Sequence, residues 1–494
     1  MTGKVTLVGA GPGGRGLLTL AGAAALAQAD AVVYDRLVDA DVLALISAGA
    51  ERVNVGKQMS RHPIPQDEIN AILVRLAREG KQVVRLKGGD CYLFGRGGEE
   101  AEFLRENDIP FAVLPGVTSA LAAPAFAGIP VTHRDFCSSV HIVTAHARAG
   151  KELSIDFDSL VRLDGTLVFL MGLSALERVM DGLLAAHIDP AMPAAVIENG
   201  TRGTQRKVVG TVSDLAPRVR EAGLQSPSLI VVGRVCSLSE QLDWFTPLPL
   251  HGKTVVVTRP KARAGTLSDR LRALGANVVE APCIETVPRG DTAPLAAALG
   301  QPHDWAVFTS PAGIAAAADA LRALGRDLRA LYGMKLAAIG RGTADALASY
   351  GLTADLVPAQ YDGEHLARAL CEAMPDGGSA LLLRAAQGGQ ILPEMLRAAG
   401  VRVTDVPLYD TLYRADNADT LRDLLSRGAV DAVTFTSVST VEGFVQAVGG
   451  ADFSGFTALC IGEMTARAAA AHGMHIKTAK NAAIDQMIAC LLEE

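Results

Sequence analysis

Cysteine is scarce and scattered. The seven residues Cys91, Cys137, Cys236, Cys283, Cys371, Cys460 and Cys490 are odd in number, and no two stand at C-x-x-C spacing. That excludes the usual zinc and iron–sulfur patterns and fits a reducing cytosol. Positive charge is not in excess either: 46 Lys and Arg face 53 Asp and Glu, for a net charge of −7. A nucleic-acid binder is usually basic, so no nucleic-acid partner is expected, although basic pockets remain open. No apolar run reaches the roughly 18–20 residues that span a bilayer, so no membrane association is expected. The opening M-T-G-K leads straight into a strand-like segment rather than a signal peptide, which makes a cytoplasmic location the expectation.

What is present suits large cores: 494 residues, 49% hydrophobic and 20% charged, enough for three or four domains at roughly 100–200 residues each. The densest chemistry lies at residues 85–100, R-L-K-G-G-D-C-Y-L-F-G-R-G-G-E-E. The β-branched run before it predicts a strand. Five glycines within eleven positions let the backbone bend and approach a ligand. Asp90 falls at the strand's end, the binding edge of an open α/β sheet. Arg96 and Glu99 fall at the start of the next helix.

Near the N-terminus, a strand over residues 4–8 opens into G-A-G-P-G-G at 9–14. This fits G-x-G-x-x-G, and Asp35 lies about where a dinucleotide fold places its ribose-binding acid. A nicotinamide-dependent oxidoreductase is therefore one alternative. Pro12 weighs against it, because it removes an N–H from a loop that should offer amides to a pyrophosphate.

These segments resemble a known family. V-G-A-G-P-G at 8–13, A-V-V-Y-D-R-L-V at 31–38, G-K at 56–57, residues 88–100, P-G-V-T-S-A at 115–120, T-H-R at 132–134 and M-G at 171–172 are similar to uroporphyrinogen-III C-methyltransferases, over roughly residues 4–242. The resemblance implies the tetrapyrrole methylase fold of two α/β domains (about 1–115 and 116–243), S-adenosyl-L-methionine as methyl donor, no metal, and a homodimer. By the same resemblance Asp35 is a proton acceptor and Lys57 a proton donor. Arg96 and Arg134, with Glu99 beside Arg96, contact substrate or assist proton removal. Donor contacts fall on Pro12, Gly88, Gly89, Asp90, Leu93, Thr118, Ser119, Met171 and Gly200. Arginines suit a substrate with many carboxylates, because their forks bind carboxylates bidentately. Acid–base help suits methylation of a ring carbon, which must then lose a proton. Two positions depart from the family: Gly14 stands where an acid is usual, and Cys91 where proline is usual. His133, His141 and His146 lack a recognised metal-ligand spacing and are expected to be surface or hydrogen-bonded.

Residues 244–250, with two prolines and no amphipathic period, read as a linker. Beyond it an approximate repeat emerges: A-V-F-T-S at 306–310 returns as A-V-T-F-T-S at 432–437, and a strand ending at Gly340 returns as one ending at Gly462. Such strand–turn–helix units predict two doubly wound, flavodoxin-like α/β domains. T-R-P at 258–260, F-T-S at 308–310, A-I-G at 338–340 with Thr343, P-L-Y at 407–409 and F-T-S at 435–437 resemble uroporphyrinogen-III synthase, over roughly 252–492. That resemblance implies an outer domain of about 251–285 plus 410–494 and an inserted domain of about 286–409. It places Arg259, Ser310, Thr343 and Ser437 on the substrate, hydroxymethylbilane, and makes Tyr409 the group that assists departure of water.

Together the resemblances imply a bifunctional enzyme that closes hydroxymethylbilane to uroporphyrinogen III and methylates it twice to precorrin-2, in siroheme or cobalamin synthesis. With methyltransferase motifs from residue 4, no oxidase and chelatase module is expected ahead of them. The remaining alternative is a methyltransferase whose second half binds tetrapyrrole without catalysis.

Overall fold

The computed structural model describes residues 2–56, 64–145, 155–374 and 377–493. It divides into two compact units, Met1–Lys253 with Arg272–Asn277, and Thr254–Leu271 with Val278–Glu494.

The first unit holds two five-stranded sheets. In the first, β1 (Lys4–Gly9), β2 (Ala31–Tyr34), β3 (Glu51–Asn54), β4 (Gln82–Lys87) and β5 (Phe111–Leu114) run parallel in the order β3-β2-β4-β1-β5. Side chains alternate across a strand, and both faces are apolar. Val8, Val32, Val84 and Leu86 pack with Leu26 of α1 (Leu20–Gln28) and Val42 of α2 (Ala40–Leu43). Val5, Leu7, Val33 and Val83 pack with Leu73 and Leu76 of α3 (Gln66–Arg78) and Leu104 of α4 (Gly97–Glu106). Full burial of a leucine is worth roughly 1.5–3 kcal/mol, so these contacts fix which face of β4 lies under α3 and α4.

This strand order removes the dinucleotide alternative. That fold sets β1 beside β2, so the acid ending β2 faces the first glycine loop. Here β4 lies between them, and the loop after β4 separates residues 9–14 from Asp35. Nor does an α-helix N-terminus stand directly behind the glycines: a single 3-10 turn, Arg15–Leu17, follows them, and α1 begins only at Leu20, capped by the Thr19 hydroxyl, which accepts from Gly22 N at 3.1 Å.

After α5 (Ser119–Phe126) the second sheet holds β6 (Val140–Thr144), β7 (Thr166–Leu170), β8 (Pro193–Glu198), β9 (Arg206–Thr211) and β10 (Ser228–Val232), in the order β6-β7-β10-β8-β9. Only β6 and β7 are parallel; the other pairs are antiparallel. The chain then crosses residues 244–250. Trp244 Nε1 donates to Ala125 O at 3.0 Å, and the rings of Phe126 and Phe245 meet edge-on with centroids 5.0 Å apart.

The second unit also holds two sheets. β11 (Thr254–Val257), β12 (Asn277–Glu280), β18 (Ala432–Phe435), β19 (Thr457–Cys460) and β20 (His475–Thr478) run β12-β11-β18-β19-β20, the flavodoxin-like order. β13 (Ile284–Pro288), β14 (Trp305–Phe308), β15 (Lys335–Ala338), β16 (Ser379–Ala385) and β17 (Arg402–Tyr413) run β13-β17-β16-β14-β15. Here β13 is an antiparallel edge on a parallel core. The chain thus leaves one sheet after β12 and returns to it at β18.

Candidate active site

Three loops meet at the C-terminal edge of β1, β4 and β5. Gly11 N donates to Gly89 O at 3.1 Å and Gly89 N to Gly11 O at 2.9 Å, joining residues 9–14 to residues 88–90. The third loop, 115–119, comes so close that a Cβ on Gly116 would lie 2.4 Å from Gly89 O. Asp90 locks the junction: Oδ1 accepts from Tyr92 N at 2.8 Å and Leu93 N at 2.9 Å, and Oδ2 from Gly116 N at 2.9 Å. Thr118 caps α5, accepting from Ala120 N at 3.3 Å. Gly89 has φ +69°, and the position of its missing Cβ is open, with Ser119 N the nearest atom at 4.0 Å. Pro12, Gly88, Gly89, Asp90, Leu93, Thr118 and Ser119 therefore belong to one constellation, a backbone-lined cradle open at Gly89.

The departures from the family pattern are absorbed locally. Cys91 is buried, its Sγ toward Leu114 O, and its carbonyl accepts from Gly97 N at 3.1 Å. Burial, then the Asp90 charge, pushes its thiol up to about 11. At Gly14 a Cβ would lie 3.1 Å from Asp41 Oδ2, and that oxygen accepts from Arg15 N.

The second sheet supplies the facing residues. Thr201, in the loop between β8 and β9, has φ +75° and donates from Oγ1 to Pro12 O at 3.1 Å. Gly200 packs so tightly on α5 that a Cβ would lie 2.3 Å from Ala123 Cβ. Met171, just past β7, is exposed at φ +56°. Thr201 is not among the residues the sequence motifs single out. Its signal was the N-G-T run after an apolar strand, a turn composition.

Asp35 directly follows β2 with its side chain about one-third exposed, and Arg85 Nη2 donates to its Oδ1 at 2.7 Å. Lys57 and His146 lie outside the described residues. Arg96 holds the left-handed position ahead of α4, and its Nε donates to Glu99 Oε2 at 3.0 Å; both side chains are exposed. Arg134 is exposed in the turn closed by the His133–Cys137 bridge. His141 hydrogen-bonds Ser139 at 3.1 Å. No group of three or more His, Cys, Asp or Glu suited to a metal occurs among the described residues.

In the second unit Ser310 caps the helix Pro311–Ala323, accepting from Gly313 N at 3.0 Å, while its hydroxyl meets Tyr409 Oη at 2.8 Å. Tyr409 is buried on β17. Ser437 caps Val438–Val448 in the same way, accepting from Thr440 N at 3.2 Å, and its Oγ lies 3.0 Å from Ser439 Oγ. Thr343, in the first turn of Arg341–Ser349, is buried. Arg259 follows β11 and is half-buried. The structure thus brings Ser310 and Tyr409 into contact and sets Ser437 at the corresponding position of the other sheet.

Comparison with known proteins matches residues 4–216 to the family described as Tetrapyrrole (Corrin/Porphyrin) Methylases, and residues 265–489 to the family described as Uroporphyrinogen-III synthase HemD. The chain is therefore a bifunctional enzyme of tetrapyrrole biosynthesis, a methylase region followed by a synthase region. The porphyrin biosynthesis protein HemD of Ruminiclostridium josui is 47% identical over 493 residues, 99% of this chain and 98% of that protein, and the chain belongs to its family. Siroheme synthase 2 of Yersinia enterocolitica is 50% identical over 252 residues, 51% of this chain and 52% of that protein, so the match spans about half of each. A crystal structure of uroporphyrin-III C-methyltransferase from Thermus thermophilus, complexed with S-adenosyl homocysteine, is similar over 48% of this chain and 100% of its own, at 39% identity and a TM-score of 0.42.

Proposed function

We propose that the second unit closes hydroxymethylbilane to uroporphyrinogen III with loss of water, and that the first unit methylates this product twice to precorrin-2. The observation that carries the reading is the pairing of a methylase region and a uroporphyrinogen-III synthase region on one chain, so that the product of one is a substrate for the other. Methylase family membership and the three-loop cradle support S-adenosyl-L-methionine as donor, held by Pro12, Gly88, Gly89, Asp90, Leu93, Thr118, Ser119, Met171 and Gly200. When bound, the donor supplies an electrophilic methyl group. The loops would hold the donor, and positioning of reacting groups is worth several orders of magnitude. Arg96 and Arg134, both exposed, bind substrate carboxylates, with Glu99 holding Arg96 until they arrive. Asp35 takes the proton that the methylated ring carbon must lose, and Lys57 donates one.

Ring closure asks for donors around a polyanion and a departing hydroxide. Arg259, Thr343 and the helix N-termini at Ser310 and Ser437 supply them, and Tyr409, joined to Ser310, assists loss of water. We assign the methyltransferase to residues 1–243, a linker to 244–250 and the synthase to 251–494, with 286–409 inserted in an outer domain of 251–285 and 410–494. A homodimer through the first unit is part of the reading. Seven free cysteines and the lack, among the described residues, of any helix long and apolar enough to cross a membrane support a cytoplasmic location.

Mass spectrometry of products from purified protein given hydroxymethylbilane tests this. Type III uroporphyrinogen without donor, and a dimethylated product with it, is the expected result. Only the type I isomer overturns the synthase assignment, and type III without methylation overturns the methyltransferase.

A further inference from the structure

Asp35 does not act from an isolated strand end. Alternation along β4 sets Arg85 and Lys87 on the face of Val83, beneath α3 and α4, where both are buried. Two cations in an apolar layer require an anion. It comes from Glu100 in the first turn of α4, fully buried and favoured there by the helix N-terminus. Its neighbour Glu99 turns outward to Arg96, since successive residues on a helix diverge.

The contacts form one chain of groups. Glu100 Oε1 accepts from Arg85 Nε at 3.0 Å, Lys87 Nζ at 2.9 Å and Gln66 Nε2 at 3.0 Å. Gln66 also donates to Asn70 Oδ1 at 3.0 Å. Arg85 then reaches Asp35 through Nη2, while Nη1 lies 3.4 Å from the carbonyls of Val33 and Leu86. The Nε–Nη2 edge of an arginine commonly forks onto one carboxylate; here it bridges two. With Nε given to Glu100, Arg85 holds Asp35 by one oxygen only, and Asp35 Oδ2 accepts no hydrogen bond among the described residues.

We propose that Glu100 and Lys87 are positioning residues for methyl transfer: their buried pair keeps the Arg85 Nε occupied, so that Asp35 presents a free carboxylate oxygen to the substrate. This rests on the reading of Asp35 as proton acceptor. The cluster balances two positive side chains, Arg85 and Lys87, against two negative ones, Asp35 and Glu100. Desolvation, then repulsion from Arg85, pulls Lys87 below the ordinary lysine range. Its carboxylate partners Glu100 and Asp35 oppose that pull, as expected of a group kept for balance.

The test uses the full chain with uroporphyrinogen III and S-adenosylmethionine. Glu100→Gln keeps shape but weakens the hold on Nε, so Arg85 can fork onto Asp35. Methylation kcat should fall about tenfold or more, as for small misplacements of reacting groups. KM for both substrates should stay within about twofold, since the cradle and Arg96 are untouched. Loss of the Glu100 charge should move the acid limb of the kcat–pH profile down, and Lys87→Met, by removing a positive charge, should move it up. The double variant Lys87→Met with Glu100→Gln restores the balance and should recover most of the limb position. Opposite limb shifts are not produced by a merely structural role. Glu100→Gln with unchanged kcat, or with limb shifts absent while S-adenosylmethionine still binds, overturns the proposal. Asp35→Asn with full activity instead overturns the role of Asp35 itself, which separates the two failures.

Discussion

The loop after β4 in the first unit and the helix starts at Ser310 and Ser437 in the second are held in place by different chemistry. In the first, carboxylates do it: Asp90 gathers three backbone N–H groups from two loops, and Glu100 anchors two buried cations behind Asp35. In the second, neutral hydroxyls do it: Ser310 and Ser437 cap their helices, and Ser310 touches Tyr409. A carboxylate can collect several donors at fixed angles but carries charge that must be balanced nearby. A serine cap needs no balancing ion and leaves the remaining helix N–H groups facing outward as acceptor-seeking donors. Transfer of a small group between two aligned atoms calls for the first kind of rigidity. Folding a flexible polyanion calls for the second kind of surface, one that donates without bringing fixed negative charge near the substrate.

The largest effect that would break this contrast is expected at Asp90. Asp90→Ala strips the acceptor from Tyr92, Leu93 and Gly116, and bonds to a charged acceptor are worth roughly 1.5–3 kcal/mol each. Methyl transfer should fall by roughly a hundredfold or more, with donor affinity, read by calorimetry, falling alongside. Ring closure by the same preparation is the internal control and should hold within about twofold. A variant that still binds donor normally would mean that the glycine backbone alone shapes the cradle.

A smaller effect is expected at the hydroxyl pair. Ser310→Ala or Tyr409→Phe removes a neutral hydrogen bond worth about 1 kcal/mol, or roughly fivefold in rate if it only positions. Stopped assays of type III product from hydroxymethylbilane, with a melting curve for each variant, measure it. Tyr409→Phe losing ring closure altogether while melting normally would show a reacting hydroxyl rather than a positioning one. That outcome would sharpen the contrast into one of reaction chemistry.

These expectations also mark how far the sequence carries. Asp90 was legible because it follows a β-branched run and precedes a glycine cluster, and both features force a strand end. Strand order was not: G-A-G-P-G-G followed by Asp35 fits a dinucleotide fold equally well, and only long-range pairing of β4 between β1 and β2 decides the matter. Glu99 was singled out and Glu100 passed over, because which of two adjacent glutamates turns inward depends on where α4 sits over β4. The signal was nevertheless present. Charged Arg85 and Lys87 share the face of Val83, and a charged pair on a core face demands a buried anion. In the second unit the repeat exposed both serine caps, whereas the contact of Ser310 with Tyr409 joins residues far apart in the chain and left no local trace.

The smallest effect is also the most local. Cys91 is buried inside the Asp90 junction, with its thiol pushed up to about 11, so at pH 8 roughly one molecule in a thousand carries the reactive thiolate. In the second unit Cys283 and Cys460 are buried, their thiols pushed up to about 12 by desolvation, and neither lies in a carboxylate-held loop. Peptide mapping after brief alkylation of native protein should find all three unlabelled while partly exposed Cys137, Cys371 and Cys490 react. Raising the pH should increase Cys91 labelling about tenfold per unit well beyond the point where an ordinary thiol levels off, until unfolding intervenes. Asp90→Ala both loosens the loop and removes a negative charge beside the sulfur, so it should speed labelling of Cys91 several-fold and leave Cys283 and Cys460 unlabelled. Equal acceleration at all three would mean that Asp90 supports the whole fold, and the difference between the two units would then lie in stability rather than in the way each site is held.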